Sequence, residues 1–178
     1  MQLIIDLPAR DETLAHIRAG WQRAIADPQW SSFEGRFETN VFGEIIMSPP
    51  PPFDHNDRGF RIAHEIQNQL GGHAMTECPI LTIDGVKVAD AVWFTNERYE
   101  LVRHQAAVET APQICVEVVS PSNTDAEMRH KRRLYFESGA IECWTRQLDG
   151  TMCFYLSGDI TNPTSQSNLC PDFPKMID

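Results

Sequence analysis

Residues 112 to 135 read Pro-Gln-Ile-Cys-Val-Glu-Val-Val-Ser-Pro-Ser-Asn-Thr-Asp-Ala-Glu-Met-Arg-His-Lys-Arg-Arg-Leu-Tyr. Ile114 to Val119 is an apolar, largely β-branched run, which predicts a strand covered on both faces. Glu117 stands in the middle of it, a carboxylate where a hydrocarbon is expected. Ser120-Pro121-Ser122-Asn123 ends the strand, because Pro121 has no N–H to give a ladder. Thr124 followed three residues later by Glu127 has the form of a capping box and predicts a helix over 124 to 138, with Gly139 as its C-terminal cap. Met128, Lys131 and Tyr135 fall at spacings of three and four, so the lysine shares a face with inward residues. A buried carboxylate and an inward lysine are costly unless they meet a counter-charge or a metal.

Upstream, Ile80 to Ile83 and Val86 to Phe94 flank Asp84-Gly85, a hairpin signal. Val86, Val88, Asp90, Val92 and Phe94 alternate along the second strand, so Asp90 interrupts an apolar face as Glu117 interrupts an apolar run. A helix capped by Asp54 is expected to run to Leu70 and stop at Gly71-Gly72. His55 lies at its start, where a histidine is more often structural or capping than chemical. Residues 33 to 47 predict a hairpin that turns near Phe42-Gly43, and its glutamates, Glu38 and Glu44, fit plain exposed strand positions. Pro49 to Pro52 is a stiff connector. Residues 11 to 27 carry Leu14, Ile17, Trp21 and Ile25 at helical spacing, an arm for packing on the core or on a second subunit. Residues 95 to 111 read as a loop or short helix. Downstream, Ile141 to Arg146 and Thr151 to Leu156 bracket Asp149-Gly150, another hairpin, and the tail from Ser157 reads as mostly irregular.

With 178 residues, 42 % of them hydrophobic, the chain suffices for one well-packed domain. Nothing approaches the roughly 18 consecutive apolar residues of a membrane span, and the first residues lack the regions of a secretory signal, so a cytoplasmic protein is expected. The five cysteines have no C-x-x-C spacing. Cys115 and Cys143 read as buried thiols, and no spacing favours a zinc site. The formal charge of −10 argues against a continuous nucleic-acid footprint. Locally, Arg129, Lys131, Arg132 and Arg133 place four of the fifteen basic residues in five positions. For the three arginines a solvated helix face is the plain reading, and reception of phosphates is the other.

Asp90, Glu117 and Lys131 suit metal-assisted hydrolysis of a phosphodiester. Two carboxylates held close repel unless a cation sits between them. A hard ion such as Mg²⁺ takes oxygen ligands and keeps several waters, so two carboxylates and a backbone carbonyl suffice. Such an ion stabilises charge on phosphoryl oxygens and acidifies a bound water, while the lysine positions that water or offsets developing negative charge.

Gly43-Glu44-Ile45-Ile46-Met47-Ser48-Pro49-Pro50, His55 opening a helix, Val88-Ala89-Asp90-Ala91-Val92, the run from Pro112 to Ser122, and Lys131 and Tyr135 ahead of Gly139-Ala140-Ile141-Glu142-Cys143-Trp144 resemble, in order, the motifs of the putative restriction endonuclease family of the PD-(D/E)XK nuclease superfamily. The resemblance covers roughly residues 33 to 156. It implies an α/β fold: a restriction-endonuclease-like core, a central mixed sheet flanked by helices, with an N-terminal helix and hairpin. The expected organisation is a single domain over 1–178, comprising an arm at 1–32, a nuclease-like core at 33–156 and a tail at 157–178.

The resemblance also implies Mg²⁺-dependent cleavage of DNA, with Mn²⁺ as a substitute ion. Asp90 falls on the family's aspartate and Glu117 on the acidic position of the (D/E)XK element, the two implied metal ligands. The lysine position two residues on is Val119 here, and Lys131 on the following helix occupies the place to which the family's lysine has moved. Ala89 stands where the superfamily name has proline. Glu38 matches a glutamate of the family's first hairpin, an accessory ligand and catalytic residue, with Glu44 a weaker candidate. From the residues alone, His55 is a further accessory, and Arg129, Arg132 and Arg133 of the basic cluster are expected to hold flanking phosphates. A homodimer is expected, so that two sites address two strands. Two readings stand against DNA cleavage: a silent nuclease-fold module for binding nucleic acid or protein, and hydrolysis of a small phosphorylated molecule.

Overall fold

The computed structural model describes residues 9–30 and 35–178. Expectations for residues 1–8 and 31–32 of the arm and for 33–34 at the start of the first hairpin lie outside the described residues. A six-stranded sheet has the order β3-β4-β5-β6-β7-β8, from β3 (His73–Thr82), β4 (Gly85–Phe94), β5 (Ile114–Val118), β6 (Glu142–Arg146), β7 (Met152–Leu156) and β8 (Asp159–Thr164). Only β5 and β6 pair parallel, and helix α4 (Asp125–Glu137) makes the crossover between them. The Thr124–Glu127 capping box forms as read, with both hydrogen bonds present at 3.2 and 2.8 Å.

Neighbouring residues of β5 enter different cores, which puts them on opposite faces of the sheet. On one side Ile62, Ala63 and Ile66 of α2 (Phe53–Leu70) pack against Ala91, Trp93, Val116 and Trp144. Burying Ile62 and Ile66 contributes roughly 1.5–3 kcal/mol each. On the other side Tyr135 of α4 and Val102 of α3 (Asn96–Val102) meet Val92, Phe94, Cys115 and Cys143. Both cysteines are buried free thiols. Among the described residues no helix is long and apolar enough to cross a membrane.

Helix α1 (Arg10–Ala26) packs on its own core, with Ile17 and Trp21 against Leu81 and Val86 and the Trp21 indole donating to the Ala106 carbonyl at 3.1 Å. Ile25, expected on the same stripe, is 46 % exposed. The first hairpin, β1 (Arg36–Thr39) and β2 (Ile45–Ser48), forms a separate two-stranded sheet. It is fastened to β4: Val86 N donates to Thr39 Oγ1 at 2.9 Å, Lys87 Nζ to Thr39 O at 3.0 Å and Val88 N to Glu38 Oε1 at 3.0 Å. Gly85 permits this, because a Cβ there would lie 1.9 Å from the Thr39 carbonyl oxygen.

Three expectations need adjustment. Helix α2 begins at Phe53 after Pro52, and Asp54 sits in its first turn, paired with Arg58 at 2.8 Å, instead of capping it. Strand β3 begins at His73, well before Ile80, because its first half pairs with the second half of β4, from His73 with Phe94 to Cys78 with Ala89. The tail contributes β8, whose Pro163 is tolerated on an edge, and buries Cys170 and Phe173 against the core.

Candidate active site

The ladder between β4 and β5 runs Trp93↔Ile114, Val92↔Cys115 and Ala91↔Val116, then stops. In the same register the next bonded pair would be Ala89 with Val118. In its place the Asp90 side chain intervenes, and its Oδ2 accepts the Val118 N–H at 2.7 Å. The opened seam leads into a cleft of about 680 Å³, lined among others by Arg36, Glu38, Lys87, Asp90, Glu117 and Lys131. Its rims are Pro49 to Pro52 and Ser120 to Asn123, two segments whose prolines limit their movement.

Lys131 joins the two sides of this cleft. Its ammonium stands 3.0 Å from Glu38 Oε1 and 3.1 Å from Glu117 Oε2, and 3.5 Å from the Val88 carbonyl. The other Glu117 oxygen accepts the Tyr135 hydroxyl at 2.5 Å. Asp90 Oδ1 receives Arg36 Nη1 at 2.5 Å. Arg36 also faces Glu77 at 3.6 Å and Glu38 at 3.7 Å. His55 Nε2 donates to the Val118 carbonyl at 3.0 Å and lies 3.6 Å from Asp90 Oδ2. Glu77 is the one non-glycine among the described residues with a positive φ, 55°. Its register partner would be Asp90, and that pair is missing from the β3–β4 ladder, so a strained residue lies beside the aspartate.

The charges follow from this geometry. Burial pushes the Glu117 carboxyl up to about 7, with Lys131 opposing the rise and Asp90 adding to it. Burial works against the Lys131 ammonium, but Glu117 and Glu38 outweigh it and raise its pKa. Burial would raise Glu38 as well, yet Lys131 and the Val88 N–H hold it below the ordinary value. Lys131 is therefore a fixed cation and hydrogen-bond donor at neutral pH, not a proton acceptor.

Of the residues singled out from the sequence, Glu38, Asp90, Glu117, Lys131 and His55 share the cleft. Glu44 does not: it accepts from Asn40 Nδ2 at 2.6 Å on the exposed hairpin turn. The three arginines lie elsewhere on α4. Arg132 is buried over the Tyr155 ring at 3.8 Å and donates to the Ile160 carbonyl at 3.0 Å. Arg129 and Arg132 line a neighbouring cavity across the Ser120–Asn123 loop, together with Val119. Arg133 approaches Glu137 at 3.8 Å and His130 at 3.1 Å. Arg36, Glu77 and Lys87 were not anticipated. A lysine inside the run Val86 to Val92, apolar apart from it and Asp90, was a readable signal for Lys87, whereas Arg36 and Glu77 gave none.

Among the described residues no group of three or more His, Cys, Asp and Glu is arranged to enclose a metal ion. The donors present still fit a hard ion that retains waters: Asp90 and Glu117 supply carboxylate oxygens on adjacent strands, and the Val118 carbonyl shares the His55 imidazole with Asp90. The carboxylates of Glu38, Glu77, Asp90 and Glu117 outnumber the cations Arg36, Lys87 and Lys131 around the cleft by one when all are ionised, which favours a further cation.

A family model described as "Uma2: Putative restriction endonuclease" matches residues 28–173. Among solved structures, the crystal structure of a putative nuclease belonging to DUF820 from Anabaena variabilis ATCC 29413 is similar, with a TM-score of 0.61 and 18 % identity over 78 % of this chain and 80 % of that one. That likeness is one of fold: a mixed central sheet with flanking helices. No curated protein matches.

Proposed function

The chain belongs to the Uma2 family of putative restriction endonucleases, and from that premise we propose that it hydrolyses DNA phosphodiester bonds with Mg²⁺, for which Mn²⁺ substitutes. The observation that carries the proposal is the joining of Glu38 and Glu117 through one lysine, at 3.0 and 3.1 Å, in a cleft that also holds Asp90.

Asp90 and Glu117 would hold the ion. When bound, it supplies charge stabilisation at the phosphoryl oxygens and a more acidic water. The chain does the rest. Tyr135 and Lys131 fix the Glu117 carboxylate from either side, and Glu38 holds Lys131 in place. Lys131, kept protonated, donates toward the attacking water or the developing negative charge. His55 orients the Val118 carbonyl next to Asp90. Arg129 and Arg132, across the loop from the cleft, are proposed to take flanking phosphates, while Arg133 is engaged with Glu137. Cleavage of both strands calls for two copies of this site, so we take the active form to be a homodimer, to be checked by sedimentation.

A second reading, a silent module, draws support from the pairing of Asp90 with Arg36 and from the formal charge of −10. Incubation of supercoiled plasmid and single-stranded DNA with Mn²⁺ and wild type, Asp90→Asn or Lys131→Met separates the two. Cleavage by wild type alone is expected. Intact DNA with wild type on both substrates would favour the silent module.

A further inference from the structure

We propose that Arg36 is a resident cation that a divalent ion displaces from Asp90, so that the two are mutually exclusive occupants of that carboxylate. The inference rests on the metal reading above and adds a residue which that reading does not use.

Three observations carry it. Arg36 Nη1 sits on Asp90 Oδ1 at 2.5 Å, the oxygen left free by the Val118 amide, which takes Oδ2. An ion ligated by Asp90 would therefore meet a guanidinium in direct contact with its ligand, and like charges on one carboxylate repel. Next, the guanidinium is incompletely satisfied: Nη2 is buried without a hydrogen-bond partner, 3.7 Å from Glu38 Oε1. A buried donor left unpaired lowers the net worth of the contact that holds it there. Finally, Arg36 has other anions at hand once it leaves Asp90, with Glu77 at 3.6 Å from Nε and Glu38 at 3.7 Å from Nη2. It comes from β1, in the hairpin outside the six-stranded sheet, so its movement leaves the main ladder intact.

The arrangement has a consequence for selectivity. A monovalent ion carries the same charge as the guanidinium and gains nothing by replacing it. A divalent ion brings one more unit of charge to an acid-rich site. Arg36 thus keeps the cleft closed to monovalent ions while leaving it open to Mg²⁺.

The test is Mn²⁺ binding to the full chain, read from the electron paramagnetic resonance signal of free Mn²⁺, for wild type, Arg36→Met, Arg36→Lys and Asp90→Asn. Arg36→Met is expected to bind about tenfold tighter than wild type, with Arg36→Lys closer to wild type. Equal or weaker binding by Arg36→Met, alongside wild-type binding that requires Asp90, overturns this inference and leaves the metal site standing. Absence of binding in both wild type and Arg36→Met overturns the metal reading and this inference with it. Should Arg36→Met not fold, the wild type answers alone. The Nε–Hε resonance of Arg36, assigned by its loss in Arg36→Lys, moves on saturation with Mg²⁺ if the inference holds and stays in place if it does not.

Discussion

Asp90 Oδ2 accepts the Val118 amide at 2.7 Å, so a side chain completes a ladder that the backbone abandons. The aspartate therefore has a structural role alongside any chemical one. Asp90→Ala leaves the Val118 N–H buried without its acceptor and Arg36 with Glu77 and Glu38 as its remaining anions, and is expected to cost about 1–3 kcal/mol in urea unfolding. Asp90→Asn keeps an acceptor for the amide and should cost less. Equal losses for the two would show that the amide contact contributes little.

Lys131 is expected to matter more for rate than for fold. Lys131→Met should lower DNA cleavage by about a hundredfold or more in a protein whose circular dichroism is unchanged. The same variant leaves Glu38 and Glu117 without their shared cation, so the Glu117 carboxyl should titrate higher still. Retained cleavage would remove Lys131 from the site.

The Glu117 carboxyl, raised from 4.5 to about 7, makes metal-free stability depend on pH. The folded state favours the protonated form, so this contribution is complete below about 4.5 and is lost as pH rises through about 7. Between those values the wild-type melting temperature should fall more than that of Glu117→Gln, which has no carboxyl to ionise. Parallel curves would mean that Glu117 is already ionised across the range.

The Tyr135 hydroxyl is buried against Glu117 Oε1. Tyr135→Phe should destabilise by roughly 1–3 kcal/mol and raise the Glu117 titration, because one donor to the carboxylate is gone. A titration unchanged in Tyr135→Phe would show that the hydroxyl does not hold the acid.

The arginines of α4 should separate by position. Arg133→Ala, exposed and paired with Glu137, is expected to change stability by less than about 0.5 kcal/mol and to leave DNA affinity unaltered. Arg129→Ala should lower the salt slope of DNA binding by about one. Arg132→Ala also loses the Tyr155 contact and the Ile160 hydrogen bond, and should cost roughly 1–2 kcal/mol. Identical DNA affinity and salt slope for all three would remove the cluster from the phosphate contacts.

The parts of the site that could be read from the sequence are those where a charge breaks a local apolar pattern. Glu117 and Asp90 stand within β-branched runs, and Lys131 shares a helical stripe with Met128 and Tyr135, so short-range periodicity exposes all three. Arg36 meets Asp90 across 54 residues, through the approach of a separate hairpin to β4, and no local pattern carries such a distance. Glu77 was hidden by the polar first half of β3, which looks like loop until β4 is there to pair with it. The same reason explains β8, an edge strand with a proline. The arginines show the converse limit: adjacent in sequence, they point around the helix to a ring, a cavity and solvent.

The central claim is that Asp90 and Glu117 hold one divalent cation between β4 and β5. Anomalous diffraction from crystals soaked in Mn²⁺ tests it most directly. The account predicts a single peak touching both carboxylates, with Arg36 withdrawn from Asp90. Saturating Mn²⁺ with no peak in the cleft, and Arg36 still seated on Asp90, would contradict it.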